Sequence, residues 1–348
     1  MAPVVASPNN WGIVGHAHQV RRLRQRVERG FFPAAMLVTG TPGVGRKALI
    51  EAMARATLCP ERPAGEFCGS CSVCNRIGSG SHPDFQVWSI ARQDIEGSGT
   101  TAAALSIETI RSIAASTAIR PQEGDHRFIV IDDAETLGDA AQQAMLKMLE
   151  DVPAYLTIAL LSATPGAMLD TVVSRCVEIP LQLVSTTTIR AAIDSADAAA
   201  IAELAAGRPG WAIAAQSDPA LIAAEREAQA SLQEWLAKPR RDRLIEAYQR
   251  GNRTLGGDRI KNRQERDLLL ANLGRLQVFW RDAILSLAGA GEAAFNPDRL
   301  DGLGGSDRIS LASAHKALLA TVTCQQDLLR NVRPRLALQA MVNRWPNL

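Results

Sequence analysis

One stretch constrains the fold of this chain more than any other: "AAMLVTGTPGVGRKALIEAMARATL", residues 34–58. A short apolar run ends in Gly40. A turn with glycines at 43 and 45 follows, and good helix formers with helical spacing begin at once. An apolar run of this length, bounded by a glycine turn and a helix, fits a strand buried on both faces, which is the state of a strand in a parallel sheet. Further strands are expected at 84–90, 127–132, 156–163 and 176–181, with helical patterns between them. The clearest helix is "LGDAAQQAMLKMLEDV", where Leu137, Ala141, Ala144, Met145, Met148, Leu149 and Val152 share one face. Strands alternating with helices predict a parallel sheet covered on both sides, with anion sites at the carboxyl ends of its strands.

The loop itself departs from the phosphate-binding pattern G-x-x-x-x-G-K-[ST]. Gly40 and Gly45 are in register, but Arg46 stands at the Lys position and Lys47 at the hydroxyl position. Backbone N–H groups of Gly43, Gly45 and their neighbours can cradle an anion whatever the side chains are. Lys47, however, cannot coordinate Mg²⁺, so ATP with Mg²⁺ is not expected in this chain's own site. Two readings stay open here: a turn without a ligand, and weak nucleotide binding without turnover.

Three more constellations carry chemistry. In "VIDDAETL" a strand ends in Asp132 and Asp133, where a metal-positioning acid would stand, and Glu135 takes the place of a water-activating carboxylate. The segment "CPERPAGEFCGSCSVC" places Cys59, Cys68, Cys71 and Cys74 in a C-x₈-C-x₂-C-x₂-C array, suited to a closed, structural Zn²⁺ site; an Fe–S cluster also takes four cysteines. Cys176 and Cys324 lack such company and are expected as apolar packing residues. Finally, Arg175 lies between Ser174 and Cys176 just before a strand. A lone Arg there is ordinarily a surface charge, and it acquires a role only if a neighbouring subunit brings a nucleotide to it.

The balance of 38 basic and 36 acidic residues argues against a whole-molecule field for nucleic acid. Basic clusters at 21–29 and 239–250 are ordinarily solvated helix faces. No apolar run reaches 18 residues and the N-terminal stretch is a poor signal peptide, so no membrane contact and a cytoplasmic location are expected. The chain divides into an α/β domain over 1–181 with the cysteine module at about 59–80, a small helical unit over 182–216, and a larger helical domain over 217–348. Loops are expected at 251–258 and 296–307.

Together these residues resemble the delta prime family of bacterial DNA polymerase III clamp-loader subunits, in the AAA+ superfamily. The resemblance rests on "VTGTPGVGRKAL", the cysteine cluster, "SHPDF" (81–85), "VIDDAETLGDAAQQAMLKMLED", "LLSATP", "SRC" and "NVRPRLALQAM" (331–341). It implies an α/β AAA+ domain with an inserted zinc module, then a helical lid and an all-α collar domain. It also implies a place beside gamma/tau and delta subunits in a hetero-pentamer that loads a sliding clamp onto primed DNA. On this reading Arg175 is an arginine finger reaching a neighbour's γ-phosphate, as a non-catalytic contribution to the polymerase holoenzyme. Gly40, Gly43, Gly45, Arg46 and Lys47 form a degenerate phosphate loop, and Asp132 and Asp133 a degenerate acidic motif. Trp211, in "GRPGWAIA", stands where related ATPases carry a nucleotide-sensing Arg. The competing readings are an active gamma/tau-type ATPase and a free-standing zinc-containing DNA-binding protein.

Overall fold

The computed structural model describes residues 11–90, 92, 105–253, 263–296, 309–330 and 332–346. Chain contacts divide it into two compact units: 1–184 with 208–210, and 185–207 with 211–348.

The first unit is built on five parallel strands: β1 (Ala35–Thr39), β2 (Phe85–Trp88), β3 (Arg127–Ile131), β4 (Leu156–Ser162) and β5 (Val177–Pro180). Their order across the sheet is β2-β3-β4-β1-β5. β1 is thus an interior strand, registered on β4 from Ala35↔Ile158 to Thr39↔Ser162 and on β5 from Met36↔Val177 to Thr39↔Pro180. Among the described residues these helices accompany it: α1 (Ala17–Glu28), α2 (Arg46–Leu58), α3 (Ser72–Ser79), α4 (Ile107–Ser116), α5 (Asp139–Glu150) and α6 (Asp170–Val173).

Period-two alternation sends Met36, Val38, Phe128, Val130, Ala159 and Leu161 to one face, where they meet α1 and α2 through Val20, Leu23, Leu49 and Met53. Ala35, Leu37, Ile129, Ile131, Ile158 and Leu160 go to the other face, against Ile110, Ile113, Met145 and Leu149 of α4 and α5. With both faces covered, all seven residues of β4 are buried, hence a mostly apolar run in sequence that includes only Thr157 and the closing Ser162 as polar residues. The connections after β1 and β4 leave in opposite directions, toward β2 and β5, so a crevice opens at their carboxyl ends.

In the second unit the described residues form helices: α7 (Thr186–Ala191), α8 (Ala198–Ala205), α9 (Pro209–Ala215, whose first two residues fall in the first unit), α10 (Pro219–Ala237), α11 (Arg240–Arg253), α12 (Arg263–Leu287), α13 (Leu311–Leu329) and α14 (Pro334–Asn343). α8 stops at Ala205, and Ala206 and Gly207 both take left-handed φ, 47° and 82°. The core joins α10–α14 around Trp235, Trp280 and Trp345, whose rings meet edge to face at 5.1 and 5.7 Å. Glu225 of α10, 3% exposed, takes a two-pronged hydrogen bond from Arg275 of α12 at 3.0 and 2.7 Å. Much of the two expected loops lies outside the described residues, and 251–253 belong to α11.

Candidate phosphate loop, cysteine centre and exposed arginine

The glycine loop sits at the end of β1, and each glycine has a reason. Gly40 has φ 147°, and a Cβ there would stand 2.5 Å from the Leu181 carbonyl. Gly43 and Gly45 also have positive φ, 84° and 112°. Gly45 caps α2 without any side-chain hydrogen bond, so the first N–H groups of that helix face outward. Behind the loop, His16 Nε2 lies 3.2 Å from the Val44 carbonyl, and burial lowers the pKa of this imidazole. In front, the Gly210 N–H donates to the Gly43 carbonyl at 2.7 Å; a Cβ on Gly210 would lie 2.8 Å from that oxygen. Residues 208–210 cluster with the first unit for this reason, whereas Trp211 falls in the second.

The two cations of the loop behave differently. Lys47 is half exposed and leans along α2 toward Glu51, Nζ 3.7 Å from Oε1. Arg46 turns inward and its Nη1 is buried without a hydrogen-bond partner. Glu135, 7% exposed just beyond β3, has an equally orphaned Oε2. Burial pushes its carboxyl pKa up, and the nearby Arg46 charge together with a backbone N–H of Ala163 offsets only part of that. The Thr164 hydroxyl, after β4, is a third buried and unpartnered group. Orphaned polar groups from the ends of β1, β3 and β4 therefore collect at the crevice, as a polar ligand site requires.

Asp132 and Asp133 are only partly buried. Asp133 takes a left-handed backbone, φ 56°, with its N–H donating to Asp132 Oδ1 at 3.0 Å, so the first acid is engaged in its own turn.

At the other end of α2 the cysteines converge. Cys59 is the C-cap of α2, Cys71 the N-cap of α3, and Cys74 lies within α3. All four sulfurs lie within 4.8 Å of one another. Cys59 Sγ is 3.8 Å from Cys68 Sγ and 4.0 Å from Cys71 Sγ. A tetrahedron built on Zn–S bonds of about 2.3 Å has edges of about 3.8 Å, so the quartet fits that ion. Backbone N–H groups of Cys68, Cys71 and Cys74 each donate to the preceding ligand sulfur at 3.3–3.5 Å, which favours thiolates. Hydrogen bonds from Ser70 and Cys71 bring the Cys68 thiol down to about 6. The Cys324 thiol is buried and pushed up to about 12; Cys176 is partly buried and pushed up to about 11. Neither joins the quartet.

A network that sequence reasoning passed over ties this module to the sheet. Asp84, fully buried, accepts from the backbone N–H groups of Gln122, Glu123 and Gly124 at 2.7–3.0 Å. Glu123 in turn receives both guanidinium ends of Arg76 on α3, at 2.7 and 2.5 Å. The matched string "SHPDF" marked the place but not the role.

Arg175 follows α6 at the surface, away from the glycine loop's own residues. Its guanidinium donates to Glu150 Oε1 at 2.6 and 3.1 Å and to the Thr171 carbonyl at 2.8 Å. Both partners are well exposed, so this pair is worth ~0–1 kcal/mol and exchanges readily.

Residues 15–185 match the family model described as "DNA polymerase III, delta subunit". The chain is similar to the DNA polymerase III subunit delta' of Escherichia coli K12, 33% identical over 52% of this chain and 53% of that protein. It is 28% identical to the same subunit of Pseudomonas aeruginosa, over 52% and 54%. To the DNA polymerase III subunit tau of Salmonella typhimurium it is 26% identical, over 51% of this chain and 26% of that protein. The chain thus spans about half the length of the curated delta' relatives it matches. Over its α/β unit, residues 15–185, this chain is therefore similar to the delta' and tau subunits of DNA polymerase III.

Proposed function

We propose that this chain is a non-hydrolysing delta prime subunit of a clamp loader, supporting ATP-dependent placement of a sliding clamp on primed DNA beside gamma/tau and delta subunits. The observation that carries this reading is the division of labour at α2. The loop keeps its backbone form, while its two cations are spent elsewhere: Arg46 inward beside Glu135, Lys47 outward beside Glu51. No hydroxyl stands at position 47 to hold the metal of a bound nucleotide. Weak nucleotide binding to the free N–H groups of α2 is compatible with this arrangement; turnover is not.

Arg175 is then offered to the nucleotide of an adjoining subunit. Its exposure and its weak hold on Glu150 suit a residue that must leave its resting partner on assembly. The cysteine quartet takes a structural Zn²⁺, with Cys59, Cys68, Cys71 and Cys74 as ligands and no open position. On this account the chain works in the cytoplasm; none of the described helices is long and apolar enough to cross a membrane.

The tau-type relatives favour one second reading, an ATPase motor. Hydrolysis by the purified chain separates the two. Turnover no faster than in an Arg46→Ala, Lys47→Ala control supports the stator, and metal-dependent turnover abolished in that control overturns it.

A further inference from the structure

The solvent face of α1 and the free edge of β5 enclose a groove that none of the chemistry above uses. Leu23, Pro33, Val177 and Ile179 line a notch of about 170 Å³, with Arg22 and Arg26 at its rim. The same two arginines border an adjoining depression of about 380 Å³ that runs past Arg29 to Phe31. Phe31 is 73% exposed, the most exposed of the large hydrophobic side chains among the described residues.

Two facts decide what such a groove can hold. The first is charge. Arg22 and Arg26 of α1, with Arg29 at its C-cap, turn outward beside the stripe of buried Val20, Leu23 and Val27. Among the described residues no carboxylate lies within ion-pair distance of any of the three. Arg24, turned aside on the same helix, is paired with both Glu28 and Glu66. The groove carries one acid, Glu178, against three arginines.

The second is the strand edge. The Leu181 N–H donates to the Thr39 carbonyl, so by alternation the backbones of Val177 and Ile179 face β1, and those of Glu178 and Pro180 face outward. Pro180 has no N–H, and its carbonyl already accepts from Gln19 Nε2 at 3.0 Å. One residue is too little for an added strand. A ligand must therefore be held by side chains, with one apolar group in the notch and negative charges on the rim.

We propose that this groove docks an acidic segment of a partner protein, seating one apolar side chain against Val177 and Ile179 and placing carboxylates on Arg22, Arg26 and Arg29. The apolar lining of the notch favours a peptide over nucleic acid, for which open arginines and an exposed aromatic alone would suffice.

The test titrates the full chain with a fluorescein-labelled hexapeptide, one leucine flanked by aspartates, followed by fluorescence anisotropy. Saturable binding that weakens about tenfold in Arg22→Gln, Arg26→Gln is expected, with a similar loss on raising salt. Val177→Glu, at an exposed position that leaves the core intact, should weaken it as much. Replacing the aspartates by asparagine, or the leucine by alanine, should do likewise. Unchanged circular dichroism of the variants keeps the comparison fair. Equal binding of the asparagine peptide, or of both variants, overturns the proposal. So does a single-stranded thymidine oligonucleotide that binds through the arginines, indifferent to Val177→Glu, while the peptide does not bind.

Discussion

One helix, α2, separates two regions with opposite fates. At its amino end the glycine loop holds Gly40, Gly43 and Gly45 at positive φ, with Arg46 and Lys47 where the phosphate-loop pattern has Lys and a hydroxyl. At its carboxyl end the cysteine module brings together four thiols that could hold a metal ion, each sulfur within 4.8 Å of the others. The difference lies in what each site demands. An anion nest needs only N–H groups and glycines that allow positive φ, so it survives when side chains change. A tetrahedral metal site has no backbone ligand, so one missing thiolate removes it.

The largest effect is expected from metal removal. Chelation, or Cys74→Ala, should release about one zinc per chain, as read by metal analysis, and cost on the order of 5 kcal/mol or more. The melting temperature should fall by about 10–20 °C. A chain isolated without metal and indifferent to chelator would show the module to be held by packing alone.

Next comes the loop's backbone. Gly40→Ala combines a strained φ with a close approach to the Leu181 carbonyl, and should destabilise by about 3 kcal/mol in denaturant titration. Gly45→Ala has open space around its Cβ and only the φ penalty, about 1 kcal/mol. Equal costs at the two sites would mean that the loop is not built as described.

Glu135 supplies the pH arm. Its folded pKa lies above the ordinary value of 4.5 because burial outweighs the nearby Arg46 charge. As pH rises from 4.5 toward that raised value, the unfolded chain loses its proton first, so stability falls through this window and stays lower above it. Glu135→Gln should abolish that part of the decline in a stability–pH profile.

The smallest change in stability, within about 0.5 kcal/mol, is expected for Arg46→Lys with Lys47→Thr. Its effect is on ligand: restoring the ordinary loop pattern should strengthen nucleotide binding measured by calorimetry. No gain would place the defect in the surroundings, such as the Gly210 backbone over the Gly43 carbonyl.

The sheet was legible because its strands are buried on both faces: five expected runs, 34–40, 84–90, 127–132, 156–163 and 176–181, hold the five observed strands. The cysteine ligands were legible because they fall within 16 residues and fold locally. The place of the crevice, at the carboxyl ends of the strands, was legible too, but not which side chains meet in it. Arg46, Glu135 and Thr164 meet there only because β1, β3 and β4 are near neighbours in the sheet, an order that periodicity does not encode. Asp84 was missed for the same reason: its three N–H partners lie 38 to 40 residues away. Nor does sequence say that Arg46 turns inward while Lys47 turns outward, since that follows from where each sits on the first turn of α2.

The central claim is that this chain completes a neighbour's nucleotide site and does not run its own. The direct measurement is single-turnover ATP hydrolysis in an assembled loader whose adjoining ATPase site is the one left intact, comparing Arg175→Ala with the Arg46→Ala, Lys47→Ala pair. The account predicts a loss of about 10³-fold for Arg175→Ala and no change for the loop pair. Full hydrolysis without Arg175, or its collapse when the loop pair is replaced, would contradict it.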